Sequence, residues 1–187
     1  MIAAPSPVVR SVRAICRLID ALNLAGGVFA AACCALLAAM LIAEVVATSA
    51  FAWSQPWAVE YGAYLCAFTM LAGSGYALRS GSHIRVLLAL EWSPGRGRPL
   101  IELFCTTAAL VVAIMLSWGL IELAWRSHVR NSVSYFAMQT PLAWPQAIMA
   151  AGAVLLSAAL VARLLRLLIG DAPDLATDAS SATARAE

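Results

Sequence analysis

The chain has 187 residues, of which 63% are hydrophobic and 12% are charged. A soluble domain carries about 25% charged residues, so this composition excludes an ordinary soluble fold and indicates an integral membrane protein. All twelve basic residues are arginine and the net charge is +2. The sequence predicts no basic face of the kind that binds nucleic acid.

Four apolar stretches are long enough to cross a membrane, because a spanning helix needs about 20 residues. In chain order the predicted spans are residues 21–43, 57–78, 102–124 and 142–164. We expect helices because lipid offers no hydrogen-bond partners to the backbone, and the stretches lack the alternation of barrel strands. The predicted fold class is therefore an all-α integral membrane protein, with four transmembrane helices in a single domain, residues 21–168.

Arginines are distributed unevenly among the segments outside these spans. Three precede the first span, the first connection has none, four lie between the second and third spans, and two lie between the third and fourth. Arg163 and Arg166 close the last span. The positive-inside rule then predicts that both chain termini are cytoplasmic. Residues 1–20 are interpreted as a cytoplasmic N-terminal segment and residues 169–187, rich in Ala, Ser, Thr and Asp, as a disordered cytoplasmic tail.

A short apolar run, residues 84–92, lies between the second and third spans. As a helix it would be only about 13 Å long, which is too short to cross a bilayer. We predict an interfacial helix on the cytoplasmic surface, ending at Trp92. Arg79, His83 and Arg85 would then lie at the level of the lipid headgroups, where cations interact favourably with anionic lipids.

Polar residues near the spans suggest structural contacts more than chemistry. Glu60 lies one turn inside the second span, where it could bond a neighbouring helix or a partner subunit. Gly73 and Gly75, near the end of the same span, favour close packing of helices. Glu122 and Arg126 have the i,i+4 spacing of a helical ion pair. We predict no catalytic residue, no cofactor and no metal site.

One segment carries a family motif. The order "PWAVEYGAYLCAFTMLAGSGYALRSGSHIRV", residues 56–86, resembles the small membrane subunit of tripartite ATP-independent periplasmic (TRAP) transporters, the DctQ-like family. In that family a tryptophan and a glutamate open the second span, and an R-x-G-x-H-I-x-V signature follows it. The matching positions are Trp57, Glu60, Arg79, Gly81, His83, Ile84 and Val86. The segment "MQTPLAWPQAIMAAGAVLLSAALVARLLR", residues 138–166, is similar to the family's last span.

The resemblance implies a function and a location. A DctQ-like chain is a non-catalytic small subunit in the bacterial inner membrane that binds a large permease. A periplasmic binding protein delivers the substrate, commonly an organic acid, and an ion gradient drives uptake. The motif residues, together with Arg85 and Trp92, would serve anchoring or the partner interface. This chain departs from the family at Leu87, where members often carry an acidic residue.

Two other classes of function stay open. A small four-helix drug/proton antiporter would use a membrane glutamate, but Glu44 lies at the outer end of the first span. A haem or quinone membrane anchor would need paired ligands inside the bundle. The two histidines, His83 and His128, are instead predicted on opposite sides of the membrane.

Overall fold

The computed structural model describes residues 7–53, 55–81, 98–136 and 138–171. These residues form four α-helices: α1 (Pro7–Phe51), α2 (Ala58–Arg79), α3 (Arg98–Val129) and α4 (Ala143–Ile169). Between α3 and α4, an isolated antiparallel bridge joins Val133 to Pro141. The described residues thus confirm the predicted all-α class.

Three helices, α1, α3 and α4, are long and apolar enough to cross a membrane. The 22 residues of α2 give sufficient length, but Glu60, three tyrosines and three glycines make this helix less apolar than the others. Three of the four predicted spans are therefore confirmed as candidates by length and composition. The crossing of the membrane by α2, and the cytoplasmic location of both termini, stay predictions.

Helix α1 extends well beyond the span predicted at residues 21–43. Its 45 residues make it about 68 Å long, more than twice the roughly 30 Å of a bilayer core. The extension before residue 21 packs on the end of α4, because Cys16 is buried and its thiol donates to the Ala162 carbonyl at 3.7 Å. Tertiary packing therefore continues the helix past the boundary that hydropathy predicted.

Helix α4 occupies the centre of the fold. It packs against α1, α2 and α3, while α2 also packs against α1, and α3 has α4 as its main neighbour among the described helices. The core between α2, α3 and α4 is small, comprising Leu78, Ala113, Ala159 and Leu160. Large apolar side chains of α1 and α3, such as Val28 and Met115, lie exposed on the outside. Such faces are expected to meet lipid or a partner, not water.

Small residues bring α2 very close to its neighbours. A Cβ atom at Gly152 of α4 would lie 2.9 Å from the backbone carbon of Leu71, and one at Gly75 would overlap the Asn23 side chain of α1. At Gly73 a Cβ would lie 3.2 Å from the Ala30 Cβ. Close helix packing through Gly73 and Gly75 is confirmed, as in membrane helices that associate through small residues.

The antiparallel order of the helices gives the fold two polar ends. The arginine-rich end consists of residues 7–20, 79–81 and 163–171, where α1 begins and α2 and α4 end. The glutamate end consists of residues 44–64 and 130–146, where α1 ends and α2 and α4 begin. Helix α2 therefore connects two polar regions of different composition.

Candidate anchoring and partner-interface residues

The motif residues divide into those inside and those outside the described part of the chain. Outside it lie His83, Ile84, Arg85, Val86 and Trp92, and with them the interfacial helix predicted at residues 84–92. Within it lie Trp57, Glu60, Arg79 and Gly81. Trp57 and Glu60 lie where α2 begins, and Arg79 and Gly81 lie where it ends, so the structure does not bring the four together into one site.

Trp57 helps to order the connection between α1 and α2. Its indole Nε1 donates a 3.1 Å hydrogen bond to the Gln55 side-chain oxygen. The Gln55 backbone N–H in turn donates to both carboxylate oxygens of Glu44, at 3.0 and 3.2 Å. Side chains that bond nearby backbone groups in this way fix the path of a tight connection. Trp57 and Glu44 therefore act here as local structural residues.

Glu60 is a buried carboxylate, only 1% exposed. The Tyr64 hydroxyl donates to Glu60 Oε1 at 3.0 Å, and the hydroxyls of Ser134 and Thr140, from the connection between α3 and α4, lie beside the same carboxylate. The second oxygen, Oε2, has no hydrogen-bond partner among the described residues. Because a buried charge is costly without compensation, the hydrogen bond from Tyr64 offsets part of the cost of burying Glu60.

Arg79 belongs to a charged network that joins three helices. Its Nε lies 3.4 Å from Asp20 Oδ2 of α1, and Nη2 of Arg166 in α4 lies 2.5 Å from the same oxygen. Arg166 also donates to the Cys16 carbonyl at 3.4 Å. Sequence reasoning assigned Arg79 to the headgroups and counted Arg166 only toward topology. Asp20 was missed, although it is the single acidic residue among the first 43 and borders a predicted span.

Gly81 ends α2. Its φ angle is +79°, in the left-handed region that glycine adopts without steric cost. Its N–H donates to the Leu78 carbonyl at 3.3 Å, which satisfies part of the last helical turn. The spacing of Arg79 and Gly81 in the motif therefore has a structural reason. Arg79 lies in the last turn of α2, and Gly81 adopts the left-handed conformation that ends the helix.

A second ion pair and a cavity complete the arginine-rich end. Arg13 of α1 donates to both carboxylate oxygens of Asp171, just after α4, at 2.8 Å each. Between the two pairs lies a cavity of about 240 Å³. Its walls are formed by Arg13, Cys16, Arg17, Asp20, Arg79, Arg166, Ile169 and Asp171.

Helix α3 is attached to α4 by polar contacts as well. Arg163, which is 7% exposed, donates from Nε to the Thr106 hydroxyl at 3.3 Å. It therefore stabilises the α3–α4 interface and is more than a topology signal. On the outer surface of α3, Arg126 Nε lies 2.7 Å from Glu122 Oε1, which confirms the ion pair predicted from their spacing.

Comparison with known proteins identifies the family. The family model described as "Tripartite ATP-independent periplasmic transporters, DctQ component" matches residues 37–170, which is more than half of the chain. The match runs from the second half of α1 to the end of α4 and includes both ends of α2. Comparisons with curated protein sequences and with solved structures gave no significant match. The chain therefore belongs to the DctQ family, the small permease component of TRAP transporters.

Proposed function

We propose that this chain is a non-catalytic subunit that supports the large TRAP permease during uptake of an organic acid. In this proposal a periplasmic binding protein delivers the substrate and an ion gradient drives its entry across the bacterial inner membrane. Family membership supports the transporter and its general partners. The organic acid, the ion gradient and the absence of catalysis rest on the resemblance described above.

The observation that best supports an accessory role is the absence of charge from the middle of each of the four described helices. No charged residue occurs in residues 21–43, 61–78, 103–121 or 142–162. Transporters that carry ions or acids place polar or discontinuous segments near the bilayer midplane. Here the helix middles contain apolar and small packing residues, so the substrate path is more reasonably assigned to the large permease.

The two alternative functions receive less support from the described contacts. A proton antiporter needs a carboxylate on a transport path. The Glu44 carboxylate instead accepts hydrogen bonds from the Gln55 backbone N–H, which lies in the connection between α1 and α2. A haem anchor needs paired axial ligands. His128 lies in the last turn of α3, and His83 lies outside the described residues.

The proposed membrane arrangement places the arginine-rich end in the cytoplasm. This arrangement makes α2 the second span and assigns residues 84–92 to an interfacial segment, with Arg79, His83 and Arg85 at the headgroups. It can be tested with alkaline phosphatase, which is active only in the periplasm. We expect an active fusion within residues 52–57 and an inactive one after residue 187. The reverse pattern would contradict the orientation.

The accessory role is tested by copurification with the large permease. We expect a tagged chain to retain the permease, and His83→Gln combined with Arg85→Gln to lower the yield of the complex. The matched control is His128→Gln combined with Arg130→Gln. It removes the same residue types at the end of α3, where both side chains are exposed. Equal yields from both double variants would refute the anchoring role. A chain that is active without any permease would refute the accessory function itself.

A further inference from the structure

The described lining of the cavity at the arginine-rich end contains more arginines than carboxylates. Its walls contain four arginines, Arg13, Arg17, Arg79 and Arg166, and two carboxylates, Asp20 and Asp171. Since one water molecule needs only about 10–15 Å³ of such space, a cavity of about 240 Å³ has room for a much larger polar group. In the part of the chain that the structure describes, cations therefore outnumber anions in the lining of this space.

The ion pairs show which of these arginines meet a carboxylate. Asp171 is fully engaged by the two hydrogen bonds from Arg13. Asp20 is shared, since Arg79 and Arg166 both approach its Oδ2 atom. Among the described residues no acidic side chain pairs with Arg17, which is exposed at the cavity. Among the described residues, Arg17 is therefore the arginine of the cavity that can meet an external anion without first leaving a carboxylate.

We propose that this cavity binds an anionic phosphate group and that a membrane lipid supplies it as its headgroup. Guanidinium groups form paired, charge-assisted hydrogen bonds with phosphate oxygens, which suits a site formed by arginines. The side chain of Arg166 is 9% exposed and is held by Asp20 and by the Cys16 carbonyl. One wall of the site is therefore ordered before any ligand enters.

The surface of α1 next to the cavity favours a lipid over free phosphate. Arg17, Ala21, Leu24 and Val28 follow one another at i, i+4, i+7 and i+11, so they form a stripe along one face of the helix. Leu24 and Val28 are 54% and 64% exposed. A phosphate held at Arg17 would place an attached acyl chain along this apolar stripe. Free phosphate has no acyl chain that could cover this apolar stripe.

This inference goes beyond the proposed function, because it depends on residues of α1 and α4 and not on the permease. It is tested by native mass spectrometry of the purified full-length chain with phosphatidylglycerol or phosphatidylcholine. We expect the wild-type chain to retain phosphatidylglycerol preferentially. Arg17→Gln should weaken this retention about fivefold, the contribution of one arginine near a charged membrane surface. Arg17→Lys keeps the charge but loses the paired guanidinium hydrogen bonds, so it should restore only part of the binding.

The matched control is Arg10→Gln, which removes the same charge from an exposed position on the same helix, outside the cavity lining. Unchanged retention in this control supports a formed site. An equal loss in both variants would mean diffuse attraction and would overturn the proposal, as would equal retention of the two lipids by the wild type. Inorganic phosphate provides the last comparison. Binding of phosphate that depends on Arg17 and that phosphatidylglycerol does not displace would overturn the lipid as the source.

Discussion

A carboxylate lies at each end of α2, Asp20 of α1 at one end and Glu60 of α2 itself at the other, and their surroundings differ. At the arginine-rich end, Asp20 accepts from Arg166 and pairs with Arg79, so a single carboxylate connects α1, α2 and α4. At the glutamate end, Glu60 accepts from Tyr64 and lies beside hydroxyls of the α3–α4 connection. One carboxylate has cations as partners, and the other has neutral hydrogen-bond donors.

This difference separates two ways of stabilising an acid that is removed from solvent, fully at Glu60 and partly at Asp20. In an ion pair each charge compensates the other. Neutralising one partner therefore leaves the other charge removed from solvent without compensation. A carboxylate surrounded by hydroxyls needs hydrogen-bond donors of suitable geometry, and a neutral amide can replace it more easily because hydroxyls also accept hydrogen bonds. The same chemical change, carboxylate to amide, should therefore have unequal effects at the two ends.

The largest effect is expected from a substitution that disturbs both ends together. Gly152→Leu places a side chain against the Leu71 backbone, and must push α4 away from α2, which contributes residues to both ends. We expect a loss of about 3 kcal/mol in the free energy of unfolding, at the upper range of overpacking. The measurement is unfolding of the purified chain in mixed micelles with increasing dodecyl sulfate.

Gly119→Leu in α3 is the control for this substitution, because no other described part of the chain comes within 4 Å of the Cβ position there. It should leave the unfolding free energy nearly unchanged. Equal losses at Gly119 and Gly152 would mean that a general effect of Gly→Leu in these helices, and not close contact between α2 and α4, determines the result.

The next effect concerns the arginine-rich end alone. Asp20→Asn removes the charge that Arg79 and Arg166 share, and we expect a loss of about 2 kcal/mol in the free energy of unfolding. This value is below the about 3–5 kcal/mol of a fully buried pair, because the Asp20 side chain is 29% exposed. Glu122→Gln, the same chemical change at an exposed i,i+4 pair, should cost only about 0.3 kcal/mol. A result for Asp20→Asn no larger than this control would show that the network is not stabilising.

A smaller effect is expected from the same chemical change at the glutamate end. Glu60→Gln keeps an acceptor for the Tyr64 hydroxyl and adds an N–H group that can donate toward Thr140, whose Oγ1 has no partner among the described residues. The unfolding midpoint should therefore change far less than with Asp20→Asn. Glu60→Leu should lower it clearly, since it leaves the Tyr64 hydroxyl without its acceptor. If Glu60→Gln proved as damaging as Asp20→Asn, the two ends would not differ in the way described.

The smallest effect is expected at the Arg13–Asp171 pair. Its side chains are 44% and 32% exposed, and solvent therefore weakens the interaction. Asp171→Asn should lower the unfolding midpoint slightly at low salt and not at all in about 1 M salt, where the screening length is about 3 Å. An undiminished effect at high salt would indicate that this pair is shielded from solvent and belongs with the Asp20 network.

Much of the architecture could be predicted from the sequence, because hydropathy and helix period are local properties of the chain. The all-α class and the ion pair between Glu122 and Arg126 follow from short-range patterns, as does the close packing at Gly73 and Gly75. Membership in the DctQ family follows from the order of motif residues around α2. Helix ends were less predictable, since the first residues of α1 remain helical through their contact with α4.

The sequence by itself thus determined the kind of protein, its apolar helices and its family. The tertiary structure decided which polar groups meet. Asp20 and Arg166 lie 146 positions apart, and Glu60 meets Ser134 and Thr140 only because α2 begins beside the α3–α4 connection. Neither contact produces a periodic pattern in the sequence, because hydrogen bonds and ion pairs depend on distances of a few ångströms between groups in the folded chain. Those distances are fixed when small residues bring α1, α2 and α4 together.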